Sequence, residues 1–508
     1  MFKQEKTAAL LPIVSALLAF IAIGEINFLL GWMCFAPLFA STLHATAKQH
    51  FKHGFIFGFI LSCFAYSWMI SGAERFTGYS FLYGAGIFLS CALIIAIYWA
   101  CLMLCVFFIK VRSGKYSNIL NSLAVAALFS VFEFAWSHVA NGMPWFNFYA
   151  GNALQGNAYA VQPASLFGTY ILSFVVVLVN FLIALCVTKK QWKKLIMPAA
   201  AILIYMCCGY FTLQNFNNSL QQSTPVKIAI AAENIPPDIK WDDANGNLLV
   251  QRLIDLNKAA VAQKPDVILW SESAIPWTYR KDDDLVNELL KESMPAKVTH
   301  ILGMNTEVEN NIVNNSAYCI LPNGTVANRY DKQFLLSFIE KPLRNISIPF
   351  FSNKGFLVSD DKAHSAPLQT PYGKAGIMIC NESAIENAAY ISAKQGAAFF
   401  CNMSNDGWFN DTYIVRSHFL SARLRAVEMR KDVAVNCNNG YSGFISANGN
   451  IIKQEKDTEP FVQVDEIHPN NYQPFALQFP MLLIYACATF VLIMIILKLK
   501  NLKNSIKQ

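Results

Sequence analysis

The sequence predicts a multi-pass α-helical membrane bundle joined to an α/β extracytoplasmic domain. Hydrophobic residues make up 54% of the 508 residues and charged residues only 14%, well below the roughly 25% charged content of soluble domains. The charged residues are concentrated in the middle of the chain, between apolar stretches at both ends. That middle segment alternates short strand-like runs with stretches of helical periodicity, a pattern typical of a layered α/β domain.

Apolar stretches of about 20 residues, the length that crosses a bilayer, predict eight membrane spans. The first stretch is expected to remain as an anchor, because a second one follows after only residues 24–26, without a convincing cleavage site between them. The predicted spans are 8–22, 27–43, 54–71, 81–109, 119–132, 164–187, 195–212 and 479–497.

The basic residues of the loops fall on one side of the predicted bundle, and the opposite short loops hold only Arg75. By the positive-inside rule the lysine-rich side faces the cytoplasm, so both termini are expected inside. Residues 1–213 then form spans one to seven, 214–478 an outer domain, and 479–508 span eight with a basic tail. The lysine-rich side carries Lys3, Lys6, Lys48, Lys52, Lys110, Arg112, Lys115, Lys189, Lys190, Lys193, Lys194, Lys498, Lys500, Lys503 and Lys507.

The charge balance differs between the whole chain and its outer segment. The chain has a formal net charge of +7, whereas residues 214–478 hold 24 Lys and Arg against 29 Asp and Glu, a net charge of −5. The basic excess therefore belongs to the cytoplasmic loops and forms no patch on a folded domain. We expect no nucleic-acid partner.

Residues 214–478 are numerous enough to bury a core of their own. Short apolar runs alternate there with stretches that carry apolar residues at helical spacing. We expect strands at 226–232, 267–270, 300–303, 376–379, 397–401 and 433–436, and helices at 247–263 and 414–431.

Three polar residues stand where a reactive site would need them: Glu272, Lys332 and Cys380. Glu272 follows the apolar run 267–270, and Cys380 follows the run 376–379. Each run is short enough to be a buried strand that delivers a reactive side chain at its carboxyl end. The three residue types together predict a thiol acyl-transfer enzyme at a membrane.

The cysteines of the outer domain lack the paired short spacing of zinc ligands. A disulfide between two of them stays open, since an oxidising compartment permits it. For any single cysteine the alternative is a small buried apolar residue, but Asn381 and Glu382 directly after Cys380 favour a reactive role there. The four cysteines are Cys319, Cys380, Cys401 and Cys437.

A thiol must lose its proton before it attacks an acyl carbon. No histidine is well placed in the sequence to be the base, so we expect a buried carboxylate, Glu272, to accept the proton. Lys332 is expected to stabilise the oxyanion with the backbone amide that follows Cys380, a contribution of about 3 kcal/mol. The chain contains neither a P-loop nor a His-Glu-x-x-His run, and we expect no metal and no cofactor.

Several sequence blocks resemble the Glu-Lys-Cys signature blocks of the nitrilase superfamily, and their layout in a membrane chain resembles the apolipoprotein N-acyltransferase family. The outer-domain blocks are Trp-Ser-Glu-Ser-Ala-Ile-Pro at 270–276, Tyr-Asp-Lys at 330–332, Cys-Asn-Glu at 380–382, Asn-Asp-Gly-Trp-Phe at 405–409, the run 423–428 and the turn 438–440. In the membrane part the resemblance includes Gly31, Trp32, Pro37, Leu38, 142–145 and 168–180.

This resemblance implies an αββα-sandwich catalytic domain in the periplasm, carried by an eight-span bundle in the bacterial inner membrane. It implies a ping-pong acyltransferase of lipoprotein maturation. Cys380 would take a fatty acyl group from a phospholipid as a thioester, and the N-terminal amine of a diacylated apolipoprotein would then receive it. The alternatives are a membrane-anchored nitrilase-like amidase or hydrolase, with water as second nucleophile, and a receptor or transporter with a degenerate outer domain.

The resemblance also implies supporting residues around the site. Glu340 is expected to orient Lys332, and Glu382 is expected to support the turn at the nucleophile. Trp241 is expected near the substrate. The alternatives are solvated or helix-capping carboxylates for the two glutamates and a packed side chain for the tryptophan.

Two positions beside the reactive residues depart from the family pattern. Asn381 stands directly after the nucleophile, where a tyrosine is common, and Ser271 stands before the base, where a proline is common. The backbone amide of Asn381 remains available to bind the oxyanion after either change.

The segment 334–356 is rich in aromatic and aliphatic residues without helical or strand periodicity, which is unusual for a loop exposed to water. One interpretation is a lid or lipid-facing arm beside the acyl site, assisted by Ile275 and Trp277, with Phe350 and Phe351 as substrate-binding residues. The other interpretation is a loop tucked into the domain core.

Overall fold

The structure is a computed structural model that describes residues 2–77, 81–111, 116–219, 223–309, 312–337, 339–341, 357–359, 362–407, 409 and 412–506. The chain divides into two compact units. The first contains Met1–Ala140, Trp145–Gln214 and Gln478–Gln508, and the second contains Asn141–Pro144 and Asn215–Leu477. No feature of the sequence predicts that Asn141–Pro144 pack with the second unit.

The first unit is built from helices. Most of the long ones are apolar on all faces, which is typical of helices that contact other helices or lipid rather than water. In chain order they are α1 (Phe2–Ile23), α2 (Phe28–Gly31), α3 (Ala36–Thr42), α4 (Ala47–Ala65), α5 (Trp68–Thr77), α6 (Phe81–Ile109), α7 (Ser117–Val139), α8 (Ala164–Phe167), α9 (Tyr170–Thr188), α10 (Ile196–Ser219) and a C-terminal helix (Leu482–Ile506).

Within the part of the chain that the structure describes, five helices are long and apolar enough to cross a membrane. They are Phe81–Ile109, Ser117–Val139, Tyr170–Thr188, Trp192–Ser219 and Leu482–Lys500. Two shorter apolar stretches, Ala9–Ile23 and Phe28–Thr42, lie where the first two spans are predicted. The predicted membrane part is thus confirmed as a set of apolar helices, and the number of eight spans stays a prediction.

The second predicted span is broken into α2 and α3, and a buried amide satisfies the backbone at the break. Asn180 Oδ1 accepts hydrogen bonds from the N–H groups of Phe35 and Ala36 at 2.8 and 3.0 Å, and Asn180 Nδ2 donates to the Gly31 carbonyl at 2.9 Å. Unpaired backbone groups are costly where water is excluded. One side chain on α9 therefore permits a helix break inside the first unit.

The second unit contains two β-sheets. Its strands are β1 (Val226–Ala232), β2 (Val267–Leu269), β3 (Thr299–Glu309), β4 (Ile312–Ile320), β5 (Val326–Asp331), β6 (Leu357–Val358), β7 (Leu368–Thr370), β8 (Gly373–Ile379), β9 (Phe399–Asn405), β10 (Val433–Asn438), β11 (Ser442–Ile445), β12 (Ile451–Glu455) and β13 (Phe461–Ile467). The first sheet has the order β13-β1-β2-β3-β4-β5, with β6 beside β4, and the second has the order β12-β11-β10-β9-β8-β7.

The two sheets pack face to face, with helices on their outer sides. Along β1, Ile228 and Ile230 join the cluster that also contains Ile377 of the second sheet, whereas Ala229 packs in a separate cluster with Leu253 of a helix. Alternate residues of a strand face opposite sides of its sheet. β1 therefore lies between the core shared by the two sheets and the core that the first sheet shares with its helices. The helices are α11 (Gly246–Ala262), α12 (Asp284–Ser293), α13 (Glu386–Lys394), α14 (Tyr413–Met429) and α15 (Phe475–Gln478). The predicted layered α/β domain is confirmed.

The strand directions bring three loops to the same region of the domain. β1, β2 and β3 run parallel in the first sheet, and β5 runs in the same direction because both its step to β4 and the step from β4 to β3 are antiparallel. β8, β9 and β10 run parallel at the centre of the second sheet. The loops after β2, β5 and β8 therefore leave carboxyl ends of strands, where α/β sheets commonly place their ligands.

Candidate active site

A buried lysine lies at the centre of a charged cluster. Lys332 comes directly after β5, and its side chain is 1% exposed. Its Nζ is 3.2 Å from Glu272 Oε1 and 3.0 Å from Glu340 Oε1. Burial by itself lowers the pKa of Lys332, but the charges of Glu272, Glu340 and Cys380 raise it well above the ordinary value. The lysine is therefore a fixed ammonium group.

Glu272 lies in the loop after β2, and its position is fixed from several sides. Its Oε1 accepts a second hydrogen bond from Asn315 Nδ2 at 2.8 Å, while the Asn315 carbonyl accepts from the Lys332 backbone N–H at 2.9 Å. The loop passes directly over Gly303 of β3, where a Cβ atom would lie 2.3 Å from the Ser271 carbonyl oxygen. Glycine at that position permits the close approach that brings Glu272 to Lys332.

Glu340 is held by the loop that follows Lys332. Its second oxygen, Oε2, accepts from the Leu336 backbone N–H at 2.8 Å, and its own N–H donates to the Leu336 carbonyl at 2.9 Å. The same loop is tied to Asn141 and Gly142, since Ser337 N–H donates to the Gly142 carbonyl at 2.9 Å and Ser337 Oγ to the Asn141 carbonyl at 3.2 Å. The loop that orients Lys332 therefore depends on a segment almost 200 residues earlier in the chain.

Cys380 begins a 3₁₀ turn, Cys380–Ala384, immediately after β8. Its φ angle is +52°, a left-handed conformation that residues other than glycine rarely adopt and that is common at functional sites. The residue is 6% exposed. Burial and then Glu272 raise the pKa of its thiol well above the ordinary value, while Lys332 lowers it. The resting sulfur is therefore a thiol that needs a base at the moment of attack.

Glu382 connects the nucleophile turn to the lysine loop. Its carboxylate accepts from the backbone N–H groups of Ile379 at 2.8 Å, Gln333 at 2.7 Å and Phe334 at 3.0 Å, and from the Tyr330 hydroxyl at 3.0 Å. The side chain is fully buried, and this burial raises the pKa of Glu382 to about 7 even though the backbone donors oppose the shift. One carboxylate thus fixes both sides of the site.

The two positions that depart from the family pattern each make a specific contact. Asn381 Nδ2 donates to the Phe334 carbonyl at 2.9 Å, which adds a second link between the nucleophile turn and the lysine loop. The backbone N–H of Ser271 donates to Glu233 Oε1 at 3.3 Å. A proline at position 271 could not make this bond because it has no N–H.

A histidine that the sequence analysis did not single out lies beside Cys380. His418 of α14 has Nε2 2.7 Å from the Cys380 carbonyl oxygen and Nδ1 2.7 Å from Asp406 Oδ1. It contacts the carbonyl rather than the sulfur, so its ring is not placed to accept the thiol proton. Asp406 directly follows the parallel strand β9, and a polar residue at that position could have been recognised in the sequence as a candidate site residue. His418 lies within α14, 38 residues after Cys380, and no sequence pattern distinguishes it.

The predicted substrate-binding residues fall into two groups. Trp241 and Trp277 pack edge to face, with ring centroids 5.3 Å apart, and both are half-buried against the helix-side core of the first sheet. Trp277 Nε1 donates to Asp283 Oδ2 at 2.6 Å. Phe350 and Phe351 lie outside the described residues, as does most of the predicted apolar arm.

All thirteen cysteines fall in the described part of the chain, and each is free. Cys319, Cys401 and Cys437 are buried in the second unit, so the disulfide left open by the sequence does not form. Over the described residues, no group of three or more His, Cys, Asp or Glu side chains is arranged to hold a metal ion.

The chemistry of this cluster follows from its charges. A buried thiol, a carboxylate and an ammonium group act on one another, and the backbone amides of the turn after Cys380 are adjacent. Such an arrangement can remove a thiol proton and stabilise an oxyanion within one water-poor site.

Comparison with known proteins agrees with the division into two units. Residues 227–476 match the carbon-nitrogen hydrolase family, and residues 15–182 match the apolipoprotein N-acyltransferase N-terminal domain. The apolipoprotein N-acyltransferase of Geobacter metallireducens is 24% identical over 83% of this chain and 82% of its own length. That of Haemophilus ducreyi is 28% identical over 73% of this chain and 74% of its own. A solved carbon-nitrogen hydrolase from Helicobacter pylori aligns with a TM-score of 0.38 at 14% identity, covering 48% of this chain and 89% of that one.

The two-sheet domain and its family match place the second unit in the carbon-nitrogen hydrolase family, the class that the sequence analysis named the nitrilase superfamily. The match of residues 15–182 identifies the family within this class. The chain belongs to the apolipoprotein N-acyltransferase family.

Proposed function

We propose that the protein transfers a fatty acyl group from a phospholipid to the N-terminal amine of diacylglyceryl-cysteine lipoproteins. The observation that carries this proposal is the charged cluster around Lys332, in which Glu272 Oε1 lies 3.2 Å from the ammonium nitrogen and both charges act on the Cys380 thiol. The acyl group would be carried on Cys380 as a thioester between the two half-reactions.

In the first half-reaction the Cys380 sulfur attacks the ester carbonyl of a phospholipid while Glu272 accepts the thiol proton. Lys332 and the Asn381 backbone amide stabilise the oxyanion of the tetrahedral intermediate, a contribution of about 3 kcal/mol for each donor of this kind. The intermediate collapses to the thioester. Glu272 returns the proton to the departing alkoxide, which leaves as a lysophospholipid.

In the second half-reaction the α-amine of the diacylated apolipoprotein attacks the thioester carbon. Glu272 takes a proton from the attacking nitrogen, the C–S bond breaks, and the thiolate of Cys380 is reprotonated. The products are an N-acyl amide and the free thiol. Glu340 positions Lys332 in both half-reactions, since it makes the shorter of the two ion pairs, and Glu382 and Asn381 hold the nucleophile turn.

The proposal includes the setting of the site. Residues 214–478 would lie in the periplasm of a bacterium, with eight spans in the inner membrane and both termini in the cytoplasm. The lysine-rich loops support this orientation. Trp241 and Trp277 would contact substrate, together with Phe350 and Phe351 of the apolar arm. The partners are then membrane phospholipid and apolipoprotein.

The test is mass spectrometry of the full-length protein incubated with phospholipid vesicles. The parent protein should carry an acyl adduct on Cys380. Cys380→Ser and Glu272→Gln should lack the thioester, whereas Glu309→Gln, a substitution at an exposed glutamate at the end of β3, should behave as the parent. Addition of a diacylated lipopeptide should then yield N-acylated peptide. Free fatty acid without acylated peptide would instead indicate a hydrolase, and a parent protein without an adduct would refute the thioester.

A further inference from the structure

The mechanism described so far leaves one buried pair beside the nucleophile without a role. The His418 side chain is 9% exposed and that of Asp406 is 1% exposed. The pair contacts the backbone of Cys380, because His418 Nε2 is 2.7 Å from the Cys380 carbonyl oxygen. Burial of two ionisable groups at this distance from a reactive residue is costly unless they are paired.

The contacts of His418 determine its protonation. A backbone carbonyl can only accept a hydrogen bond, and an ionised carboxylate can only accept as well. With an ionised Asp406, both ring nitrogens of His418 face acceptors, and a ring that donates to both is an imidazolium. Burial lowers the pKa of His418, but Asp406, the Cys380 carbonyl and Glu272 together raise it above the ordinary value.

The pair has two consequences for Cys380. The hydrogen bond from His418 holds the carbonyl of a residue whose φ of +52° is otherwise unfavourable. The positive charge of His418 also offsets Asp406, which by itself raises the pKa of the Cys380 thiol. The backbone of Asp406 is held in turn, since its N–H donates to the Asn438 carbonyl at 2.9 Å.

We propose that His418, kept protonated by Asp406, is a positioning residue that fixes the left-handed backbone of Cys380 and cancels the charge of Asp406 beside the sulfur. This inference rests on the proposed function, because it concerns formation of the Cys380 thioester. The charged groups that act on His418 are Asp406, after β9, and Glu272, after β2. Both are carboxylates, so the imidazolium persists until the pH rises through its raised pKa.

The experiment measures the rate of Cys380 acyl-adduct formation against pH, with full-length protein and phospholipid vesicles and without an acceptor amine. In the parent the rate should decline at alkaline pH, as His418 loses its proton. His418→Gln keeps an N–H donor for the Cys380 carbonyl and loses the charge, so the rate should fall about 10-fold and this alkaline decline should disappear. His418→Leu also loses the donor, and a displacement of about 1 Å should cost roughly 100-fold.

Asp406→Asn gives the sharpest result. It removes the largest interaction that raises the pKa of His418, so the imidazolium should be lost at lower pH and the alkaline decline should move to lower pH by at least one unit. His364→Gln replaces an exposed histidine and should reproduce the parent profile. A merely structural role for the pair would lower the unfolding midpoint and leave the shape of the pH profile unchanged.

The outcomes separate this inference from the function on which it rests. If the parent forms the adduct, and His418→Gln and Asp406→Asn keep the parental pH profile, the positioning role is wrong while the acyltransferase proposal stands. An inert parent protein would overturn both. A shifted profile in Asp406→Asn and a missing alkaline limb in His418→Gln would establish the positioning role.

Discussion

Each unit contains a place where a helix or strand ends and its backbone N–H groups are buried. The two units use different kinds of side chain to hydrogen bond with these groups. In the first unit the neutral amide of Asn180 accepts from two backbone N–H groups and donates to a carbonyl. In the second unit the carboxylate of Glu382 accepts from three backbone N–H groups and a hydroxyl. An amide offers donor and acceptor without charge, whereas an ionised carboxylate offers only acceptors and carries a charge. The apolar unit uses the group that costs less to bury.

Among the described side chains of the first unit, one carboxylate, Glu133, is buried, and its surroundings fit this reasoning. Glu133 of α7 is buried, and its Oε1 accepts from the Ala150 backbone N–H at 2.8 Å. Carboxyl groups buried in an apolar helical bundle are rare and are tolerated where backbone donors meet them. The second unit instead gathers several charges around Lys332. Buried charge adds little stability, so its concentration around Lys332 supports the proposed site in the second unit.

The largest expected effect comes from Glu382→Gln. A glutamine has one acceptor oxygen, and its NH2 group would face either Ile379 N–H or the N–H groups of Gln333 and Phe334. We expect a loss of about 4 kcal/mol in the free energy of unfolding and at least a roughly 100-fold slower formation of the Cys380 adduct. Denaturant unfolding and adduct kinetics measure the two effects. Glu309→Gln is the matched control. A Glu382→Gln protein with parental kinetics would contradict the role of Glu382 in holding the turn at Cys380 and the loop after Lys332 together.

A second, smaller loss is expected for Asn180→Leu in the first unit. It leaves the N–H groups of Phe35 and Ala36 and the carbonyl of Gly31 without their partner, at about 1 kcal/mol or more for each group. We expect about 3 kcal/mol in total, measured as a lower unfolding midpoint in detergent. Asn180→Asp keeps an acceptor oxygen for the two N–H groups and, when protonated, offers an O–H donor in place of the amide N–H, so its midpoint should lie between those of Asn180→Leu and the parent. Equal midpoints for Asn180→Leu and the parent would show that the helix break needs no side chain.

Glu233→Gln tests the cost of a poorly paired carboxyl in the second unit. Glu233 Oε1 accepts only from Ser271, and Oε2 has no hydrogen-bond partner among the described residues. Burial raises the pKa of Glu233 from 4.5 to about 7, so the folded state holds the proton more tightly than the unfolded chain. The stability from this group is therefore complete below about pH 4.5 and is lost as the pH rises to about 7.

The glutamine stays neutral at every pH, so the variant should equal the parent at pH 4 and exceed it by about 3 kcal/mol at pH 8. Urea unfolding at several pH values measures the difference. Glu382 also has a pKa of about 7 and contributes to the slope of both proteins, so only the difference between them reports on Glu233. A constant difference across this range would contradict the shifted pKa.

The smallest effect is expected for Gly142→Ala. Gly142 has a φ of +86°, and a Cβ atom there would lie 2.3 Å from Ser337 Oγ. We expect a cost of about 2 kcal/mol from the left-handed alanine and the contact, and about 10-fold slower adduct formation as the Glu340 loop moves. Gly246→Ala is the control, because nothing lies within 4 Å of its added Cβ. A normal rate for Gly142→Ala would show that this segment does not position Glu340.

Several strands of the two sheets could be predicted from the sequence, because the parallel strands are continuous apolar runs. The prediction at 226–232 coincides with β1, and the run 267–270 differs from β2 by one residue. β4 and β5 were not predicted. Their sequences, Ile-Val-Asn-Asn-Ser-Ala-Tyr-Cys-Ile and Val-Ala-Asn-Arg-Tyr-Asp, are interrupted by polar residues, since the antiparallel strands carry polar side chains that face the site, such as Asn315.

The sequence by itself determined the apolar helices and the layered α/β domain, and it predicted the three residue types of the candidate site, because hydropathy period and position after a strand are local properties of the chain. Tertiary structure alone decided that His418 contacts the Cys380 carbonyl and that Gly142 contacts the loop of Glu340. These contacts join residues 38 and almost 200 positions apart. Their side chains follow no periodic pattern, since a hydrogen bond between distant residues depends on how the sheets and helices pack and not on the local sequence around either partner.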